Sequence, residues 1–197
     1  MTDTKTRILD AALTLFNEQG AGNVTTNHIA EALGMSPGNL YYHYRNKAEI
    51  VRGLFARIQT AWAENYAVPA GMAPSLELAE RIVAGNFEIQ ARYRFFFRDL
   101  PLLLNGDPDL AAAYRATREA GMTGSRELID LFVAAGVMHP LESEQAFDDV
   151  VSLLWVVGDF WLVFKDMGGA PFSPADIDQG VRLFRRILTP YLKGSSK

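Results

Sequence analysis

The sequence predicts an all-α fold, and three features of the chain indicate it. Apolar residues recur at intervals of three and four, beginning with Ile8, Ala12, Leu15 and Phe16, which places them on one face of a helix. No stretch alternates convincingly between apolar and polar residues, as a half-buried strand would. Clusters of glycine and proline separate the helical stretches. We therefore expect an N-terminal three-helix domain with a helix-turn-helix, followed by a larger helical domain.

Capping residues mark the helices of the N-terminal part. The first helix is expected over residues 4–19, with Gly20 as its stop. Thr25 is placed to cap a second helix of two turns that ends at Gly34, and Val24 and Ile29 are spaced as a hydrophobic staple. The third helix, Pro37 to Tyr44, is predicted from the Ser36 cap and a proline at its first position. Asn46 is expected to cap a fourth helix that runs from Lys47 to about residue 65.

The second and third helices, joined by a tight turn, have the layout of a helix-turn-helix, whose second helix enters the major groove of DNA. Gly38 would let the backbone approach DNA closely, and Asn39 offers donors and acceptors to a base edge. Lys47, in the first turn of the fourth helix, is expected to bind a phosphate together with the free backbone N–H groups there. This part of the chain is therefore interpreted as a DNA-binding domain.

The remaining chain is predicted to form five helices near residues 75–91, 93–104, 107–135, 142–166 and 173–193. Ser75, Asp107 and Ser173 are positioned as caps. The clearest linker covers residues 68–74, and further breaks fall at 105–108, 136–140 and 168–171. We set the domain boundary at residue 50, which gives a DNA-binding domain over 1–50, a connecting helix that continues to about 66, and a helical domain over 51–197.

The segment from Thr25 to Lys47, TTNHIAEALGMSPGNLYYHYRNK, resembles the N-terminal domain of the tetracycline-repressor (TetR) family. It departs from the family pattern only at Met35, where the family has Val, and at Tyr44, where it has Phe. The resemblance implies a homodimer on a palindromic double-stranded operator. It also implies phosphate contacts from Thr26, Tyr42, His43 and Lys47, with Asn27, Pro37, Gly38, Asn39 and Tyr41 at or near base edges. The alternative is that Tyr41 and Tyr44 belong to the core of the small domain.

Two further sets of residues are candidates in the larger domain. The last two helices carry more apolar surface than one bundle face needs, and in the TetR family they pair across a two-fold axis. The predicted dimer interface is Phe147, Val151, Leu154, Gly158, Trp161, Val181, Phe184 and Leu188. An unusually aromatic cluster predicts a pocket for a small apolar or aromatic ligand. The predicted pocket residues are Trp62, Phe87, Tyr93, Phe96, Phe97, Tyr114, Trp155 and Asp159. For both sets, the alternative is that the residues fill the hydrophobic core of the single chain.

Composition limits the remaining possibilities. The chain has no cysteine and three histidines far apart in sequence, so no metal site or other cofactor is expected. Its net charge is −4, with six Lys and Arg against five Asp and Glu in residues 1–60, so charge alone does not reveal a DNA-binding protein. The polar N-terminus and the short apolar run at 150–164, which Asp159 interrupts, favour a cytoplasmic protein without a membrane span.

The combined hypothesis is a ligand-released repressor in which helix four acts as the lever between the two domains. An enzyme is the first alternative, but the sequence shows no catalytic triad, metal-ligand spacing or phosphate loop. An activator, or a DNA-binding module without an effector, is the other. The sequence names neither the effector nor the operator.

Overall fold

The structure is a computed structural model that describes residues 3–68, 71–169 and 172–193. Four residues of the predicted linker and of the last predicted break, Pro69, Ala70, Ala170 and Pro171, lie outside the described residues. The described residues form helices and no named strand, with one isolated bridge between Met138 and Leu192. The all-α prediction is confirmed.

Ten α-helices follow one another along the described chain. They are α1 (Thr4–Gln19), α2 (Thr26–Ala32), α3 (Pro37–His43), α4 (Lys47–Tyr66), α5 (Leu76–Arg92), α6 (Arg94–Arg98), α7 (Leu100–Gly106), α8 (Pro108–Ala134), α9 (Glu144–Met167) and α10 (Pro174–Leu188), followed by a 3₁₀ turn over Thr189–Tyr191. None of the described helices combines the length and the apolar character needed to span a bilayer.

Two predicted helices differ from the structure, and proline accounts for both. The single helix predicted over 93–104 is two short helices that meet at Asp99, because Pro101 supplies no N–H for a continuous helix and is tolerated only in the first turn of a new one. The helix predicted to reach residue 193 ends at Leu188, where Pro190 forces the change to a 3₁₀ turn.

The chain forms two compact units. Unit 1 comprises Met1–Ala61 and Tyr93–Ala113, and unit 2 comprises Trp62–Arg92 and Tyr114–Lys197. Both α4 and α8 therefore contribute residues to each unit. The boundary at residue 50 was drawn from the extent of the motif and stays a prediction about which part acts on DNA.

Aromatic rings from distant parts of the sequence build the core of unit 1. Phe95 lies with its ring centre 5.1 Å from that of Phe16 in α1, and Phe96 stacks on Phe55 in α4, also at 5.1 Å. Each of these four rings is 2 % exposed or less. The segment α6–α7 is thus part of the same core as the N-terminal helices.

Polar residues beside these rings hold the C-terminal end of α1. Arg94 donates to the backbone oxygen of Asn17, and Arg98 donates to that of Phe16. The carboxylate of Asp99 accepts from the backbone N–H of Ala21. Carbonyls at a helix end have no partner within the helix, so these arginines stabilise that end. Arg94, Arg98 and Asp99 therefore have a structural role in unit 1.

Unit 2 is built on the packing of α5, α9 and α10. Gly180 of α10 lies so close to α5 that a Cβ there would be 2.5 Å from the ring of Phe87. The indole N–H of Trp161 donates to the backbone oxygen of Asp176 at 2.7 Å, which links α9 to the start of α10. At Gly158 of α9, in contrast, a Cβ would meet only an ordinary contact at 3.8 Å.

Candidate nucleic-acid interface and ligand cavity

Side-chain caps fix the start of each helix in the α2–turn–α3 segment. The hydroxyl of Thr25 accepts from the backbone N–H of His28, and the His28 ring accepts in return from the N–H of Thr25. Ser36 accepts from the N–H of Asn39 at 3.2 Å. Gly34 turns the chain between the helices with a φ of +62°, a conformation that favours glycine. The predicted caps and turn are confirmed, and His28 is an exposed capping residue.

One face of α3 projects from unit 1 and carries the predicted DNA contacts. Tyr42 is 85 % exposed, and its ring meets that of His43 edge to face at 5.2 Å. Pro37, Gly38 and Asn39 are exposed as well, whereas Leu40 on the opposite face is fully buried. The structure therefore anchors α3 through Leu40 and leaves its first turn open to a partner.

The tyrosines near α3 divide between surface and interior. Tyr41 is 46 % exposed, and its hydroxyl lies 3.1 Å from that of Thr26 on α2, so these two predicted contact residues are brought together. Tyr44 is half-buried, and burial raises the pKa of its phenol. Asn27 is exposed on α2. Of the two tyrosines that sequence alone left open, Tyr44 is half-buried and Tyr41 is exposed, so a core position fits Tyr44 better than Tyr41.

Lys47 has structural partners that the sequence did not reveal. Its ammonium donates to the backbone oxygens of Ala21 and Val24 at 2.7 and 3.1 Å, and thereby ties the start of α4 to the loop before α2. Asn46 caps α4 as predicted, with its side-chain oxygen 2.9 Å from the N–H of Glu49. An ammonium has three N–H donors, so one remains for a phosphate. The phosphate contact of Lys47 stays a prediction.

Unit 2 contains a cavity of about 500 Å³, within the range typical of small-molecule sites. Its walls come from α5, α8, α9 and α10 and from the end of α4. Four of the predicted pocket residues line it, namely Trp62, Tyr114, Trp155 and Asp159.

The other four predicted pocket residues do not line this cavity. Tyr93, Phe96 and Phe97 belong to unit 1, where they are buried in its core. Phe87 is fully buried against Gly180 and the neighbouring apolar side chains of α10. The aromatic run was assigned to the pocket on composition alone, and packing with distant residues places it elsewhere.

The polar groups of the cavity gather around Asp159. The guanidinium of Arg118 lies 3.5 Å from its carboxylate, and burial raises the pKa of Asp159 to about 6. Tyr66 is 51 % exposed as a whole residue, but desolvation of its phenol raises its pKa to about 12, with a further increase from the nearby charge of Asp159. The indole N–H of Trp62 donates to Asn86 at 2.9 Å.

The sequence reading missed Tyr66, Asn86 and Arg118, all of which line the cavity. For Arg118 a signal was present, because Tyr114, Arg118, Gly121 and Ser125 share one face of α8 at helical spacing. No comparable signal marks Asn86, since its place depends on the packing of α5 against α9.

The predicted dimer-interface residues of α9 and α10 lie in different environments in the structure. Phe147, Val151 and Leu188 are buried. Leu154, Gly158 and Phe184 line the cavity. Trp161 and Val181 pack against the apolar cluster formed by Val83, Phe87 and Leu162. Three of the eight predicted interface residues are thus buried within the chain and five are half-buried, and their assignment to a dimer interface stays a prediction. The exposed apolar face of α9 carries a stripe spaced by three and four residues, which we call the α9 stripe: Leu153, Val156, Phe160, Phe164 and Met167.

Comparisons with known proteins cover nearly the whole chain. A family model described as "Bacterial regulatory proteins, tetR family" matches residues 8–54, and one described as "TetR: Bacterial transcriptional repressor" matches residues 57–197. The crystal structure of a TetR-family transcriptional regulator from Marinobacter aquaeolei VT8 is 31% identical, with a TM-score of 0.89, and the match covers 98% of this chain and 93% of that one.

Two curated relatives match between a quarter and a third of the chain. The negative regulator IcaR of the biofilm operon icaADBC from Staphylococcus epidermidis is 44% identical over 48 residues, 24% of this chain and 26% of that protein. The class D tetracycline repressor protein from Escherichia coli is 38% identical over 63 residues, 32% of this chain and 28% of that protein. The chain thus spans about a quarter of the length of these relatives.

Proposed function

Because the chain belongs to the TetR family of bacterial transcriptional repressors, we propose that it is a homodimeric, sequence-specific DNA-binding regulator that a small molecule releases from its operator. The observation that carries the proposal is the exposed first turn of α3, anchored from behind by Leu40. Such a helix fits the major groove, where base edges present a distinct pattern of donors and acceptors. We propose a cytoplasmic regulator without a catalytic role.

Two different kinds of contact are proposed at the DNA. Asn39, at the exposed start of α3, would read a base edge through its amide, and Pro37, Gly38, Tyr41 and Asn27 would lie beside it. Thr26, Tyr42, His43 and Lys47 would bind phosphates, which position the protein but carry no sequence information. The hydroxyl pair of Thr26 and Tyr41 supports one surface shared by α2 and α3.

The α9 stripe is the proposed dimer contact. Its five large apolar side chains are exposed in the isolated chain, and they form a continuous line along one helix face. Contiguous apolar surface of this kind is typical of protein interfaces. A two-fold dimer would present two copies of α3 to a palindromic operator.

Ligand control is proposed to act through the cavity of unit 2. A ligand releases DNA only if it binds the form without DNA more tightly than the DNA-bound form. The cavity is lined mainly by apolar side chains with a small number of polar groups among them, as small-molecule sites are.

The test is a selection of bound duplexes from random double-stranded DNA, made with the purified full chain at a stated salt concentration. We expect enrichment of a palindrome. Failure to enrich any sequence, even at low salt where non-specific binding is strongest, would overturn the proposal.

A further inference from the structure

The cavity of unit 2 has a polar end and an apolar end. Helices α8 and α9 run antiparallel along it, since Arg118 meets Asp159 while Ser125 meets Trp155. The lining residues of α8 extend from Tyr114 to Phe132, roughly 27 Å at 1.5 Å per residue. Phe132, Met138 and Leu188 close the far end and belong to one apolar cluster. The wall is thus charged near Asp159 and mainly apolar beyond it, apart from Ser125 and the exposed carboxylate of Glu127, so the cavity favours an amphiphilic ligand whose polar group lies near Asp159.

Asp159 is the least satisfied charge at the polar end. Its side chain is only 17 % exposed, and its one ion pair within the described part of the chain, with Arg118, is long at 3.5 Å. A buried carboxylate with a weak partner is costly in free energy. The increase in its pKa reflects that cost. A positive group of the ligand placed beside Asp159 would lower this free-energy cost.

Arg118, in contrast, has other partners and access to solvent. Its side chain is 47 % exposed, its guanidinium lies 4.9 Å from the ring centre of Trp155, and it hydrogen-bonds with Tyr114. It is therefore able to leave Asp159 at small cost. A ligand anion would gain Arg118 but would have to lie beside the buried carboxylate, and like charges at short range repel.

Aromatic side chains also line the polar end of the cavity. Trp155 lies one helical turn before Asp159 on α9, and the phenols of Tyr66 and Tyr114 are near enough to feel the carboxylate charge. The faces of aromatic rings attract cations, and rings that enclose a carboxylate form a site for an organic ammonium. The aromatic groups and the carboxylate thus favour the same sign of ligand charge.

We propose that the cavity takes a lipophilic organic cation whose charged group displaces Arg118 from Asp159 and whose apolar part lies toward Phe132 and Leu188. This inference rests on the proposed function only in treating the cavity as the effector site. It concerns the ligand class, which can be measured without DNA.

The experiment measures binding of three probes that share one alkyl chain to the purified full-length protein, by titration calorimetry below their micelle concentrations. The probes are decyltrimethylammonium, 1-decanol and decanoate. We expect the cation to bind at least tenfold more tightly than the anion, with the alcohol between them. Equal or tighter binding of decanoate, or no binding of decyltrimethylammonium to folded protein, would overturn the proposal.

Two variants at the polar end of the cavity distinguish a cation-binding site from an anion-binding site. Asp159→Asn should weaken cation binding about tenfold, which corresponds to about 1.4 kcal/mol, and leave the alcohol nearly unchanged. Arg118→Met should strengthen cation binding, because it removes the competing guanidinium. An anion site would give the opposite pair of results. Asp130→Asn is the matched control, since it makes the same substitution at an exposed carboxylate of α8 that does not line the cavity and should have no effect.

DNA binding of the same preparations is measured separately. If these proteins bind the selected operator but prefer decanoate, the cation proposal fails and the regulator proposal stands. If they bind the cation but select no DNA sequence, the proposed function fails and the ligand class stands.

Discussion

Gly38 is a residue that the fold itself does not require. It lies within α3, its φ is not positive, and a Cβ built on it would meet no atom within 4 Å. Glycine in a helix costs up to about 1 kcal/mol relative to alanine. A position where the protein accepts that cost without a packing reason is best explained by a partner that approaches the backbone closely.

We therefore expect Gly38→Ala to raise the free energy of unfolding slightly and to weaken operator binding, by tenfold or more if the base edge is in contact. Urea unfolding and a DNA titration measure the two effects. Gly124→Ala in α8 is the control, because a Cβ there also meets nothing within 4 Å. It should stabilise the protein without changing DNA affinity. Unchanged DNA affinity of Gly38→Ala would contradict the close approach.

Substitutions at Lys47 and Asn39 are expected to impair DNA binding in different ways. Lys47→Ala should weaken binding to all DNA sequences and lower the salt slope by about 1. It should also lower the melting temperature, because the oxygens of Ala21 and Val24 lose their donor. Asn39→Ala should relax preference at particular operator positions. Uniform weakening by both variants in a competition across operator sequences would make Asn39 a phosphate contact.

Asp159 links stability to pH. Its pKa is raised from 3.8 to about 6 in the folded protein, so the folded state holds this proton more tightly than the unfolded state. The resulting stabilisation is complete below the unfolded pKa and is lost as the pH rises through about 6. Near Asp159 lie Arg118, which remains charged, and Tyr66 and Tyr114, whose pKa values are raised further above this range.

Asp159→Asn should therefore stabilise the ligand-free protein at pH 8 by an amount on the order of 2 kcal/mol, and the gain should shrink toward pH 4. Denaturant unfolding of both proteins across this range measures it. The same gain at every pH would mean that the charge of Asp159 is not responsible. The affinity of the wild-type protein for the cation should fall as the pH is lowered from 8 to 4, because Asp159 then becomes protonated and loses its charge.

At the scale of the element, α9 is apolar on more than one side. One face packs in unit 2 and lines the cavity, while the α9 stripe remains exposed. A helix that is apolar around most of its circumference is expected to be buried on most of it. The chain alone does not bury the stripe, which is why we propose a second copy as the group that covers it.

Phe160→Glu, at the centre of the stripe, should convert the dimer to a monomer and abolish tight binding to a palindrome, because a charge would be buried without a partner. Sedimentation equilibrium measures the mass, and circular dichroism checks that the helices remain. Phe172→Glu alters another exposed phenylalanine outside the stripe and should leave the dimer intact. A dimeric Phe160→Glu protein with normal helix content would place the interface elsewhere.

At the scale of the whole molecule, we propose that α4 relates DNA binding to ligand binding. It begins at Lys47 in unit 1 and crosses into unit 2 at Trp62, whose indole N–H is bonded to Asn86 in the cavity wall. Trp62 therefore lies at the end of α4 that lines the cavity, and the other end of α4, at Lys47, belongs to the predicted DNA-binding part.

Trp62→Phe removes that hydrogen bond and keeps an aromatic ring. We expect operator affinity to be retained and the ligand concentration needed for release to rise severalfold. A fluorescence anisotropy titration of operator release measures both quantities. Trp161→Phe is the comparison, because it also loses an indole hydrogen bond but lies outside α4. Equal loss of DNA affinity and ligand response in Trp62→Phe would argue against α4 as the lever.

The sequence by itself determined the helices and the helix-turn-helix. Caps such as Thr25, Ser36 and Asn46, and the turn at Gly34, act through hydrogen bonds and dihedral angles within a few residues, so local sequence is sufficient to predict them. The exposed start of α3 followed from the same local pattern, with Leu40 as its one buried residue.

Only the tertiary structure decided which apolar faces meet. Periodicity shows that a residue lies on an apolar face but does not identify the partner of that face. Phe95 and Phe96 joined the core of unit 1 through contacts with Phe16 and Phe55, some forty to eighty positions away. The cavity, its Arg118–Asp159 pair and the outward side of α9 depend in the same way on contacts between residues distant in sequence, which local pattern does not specify.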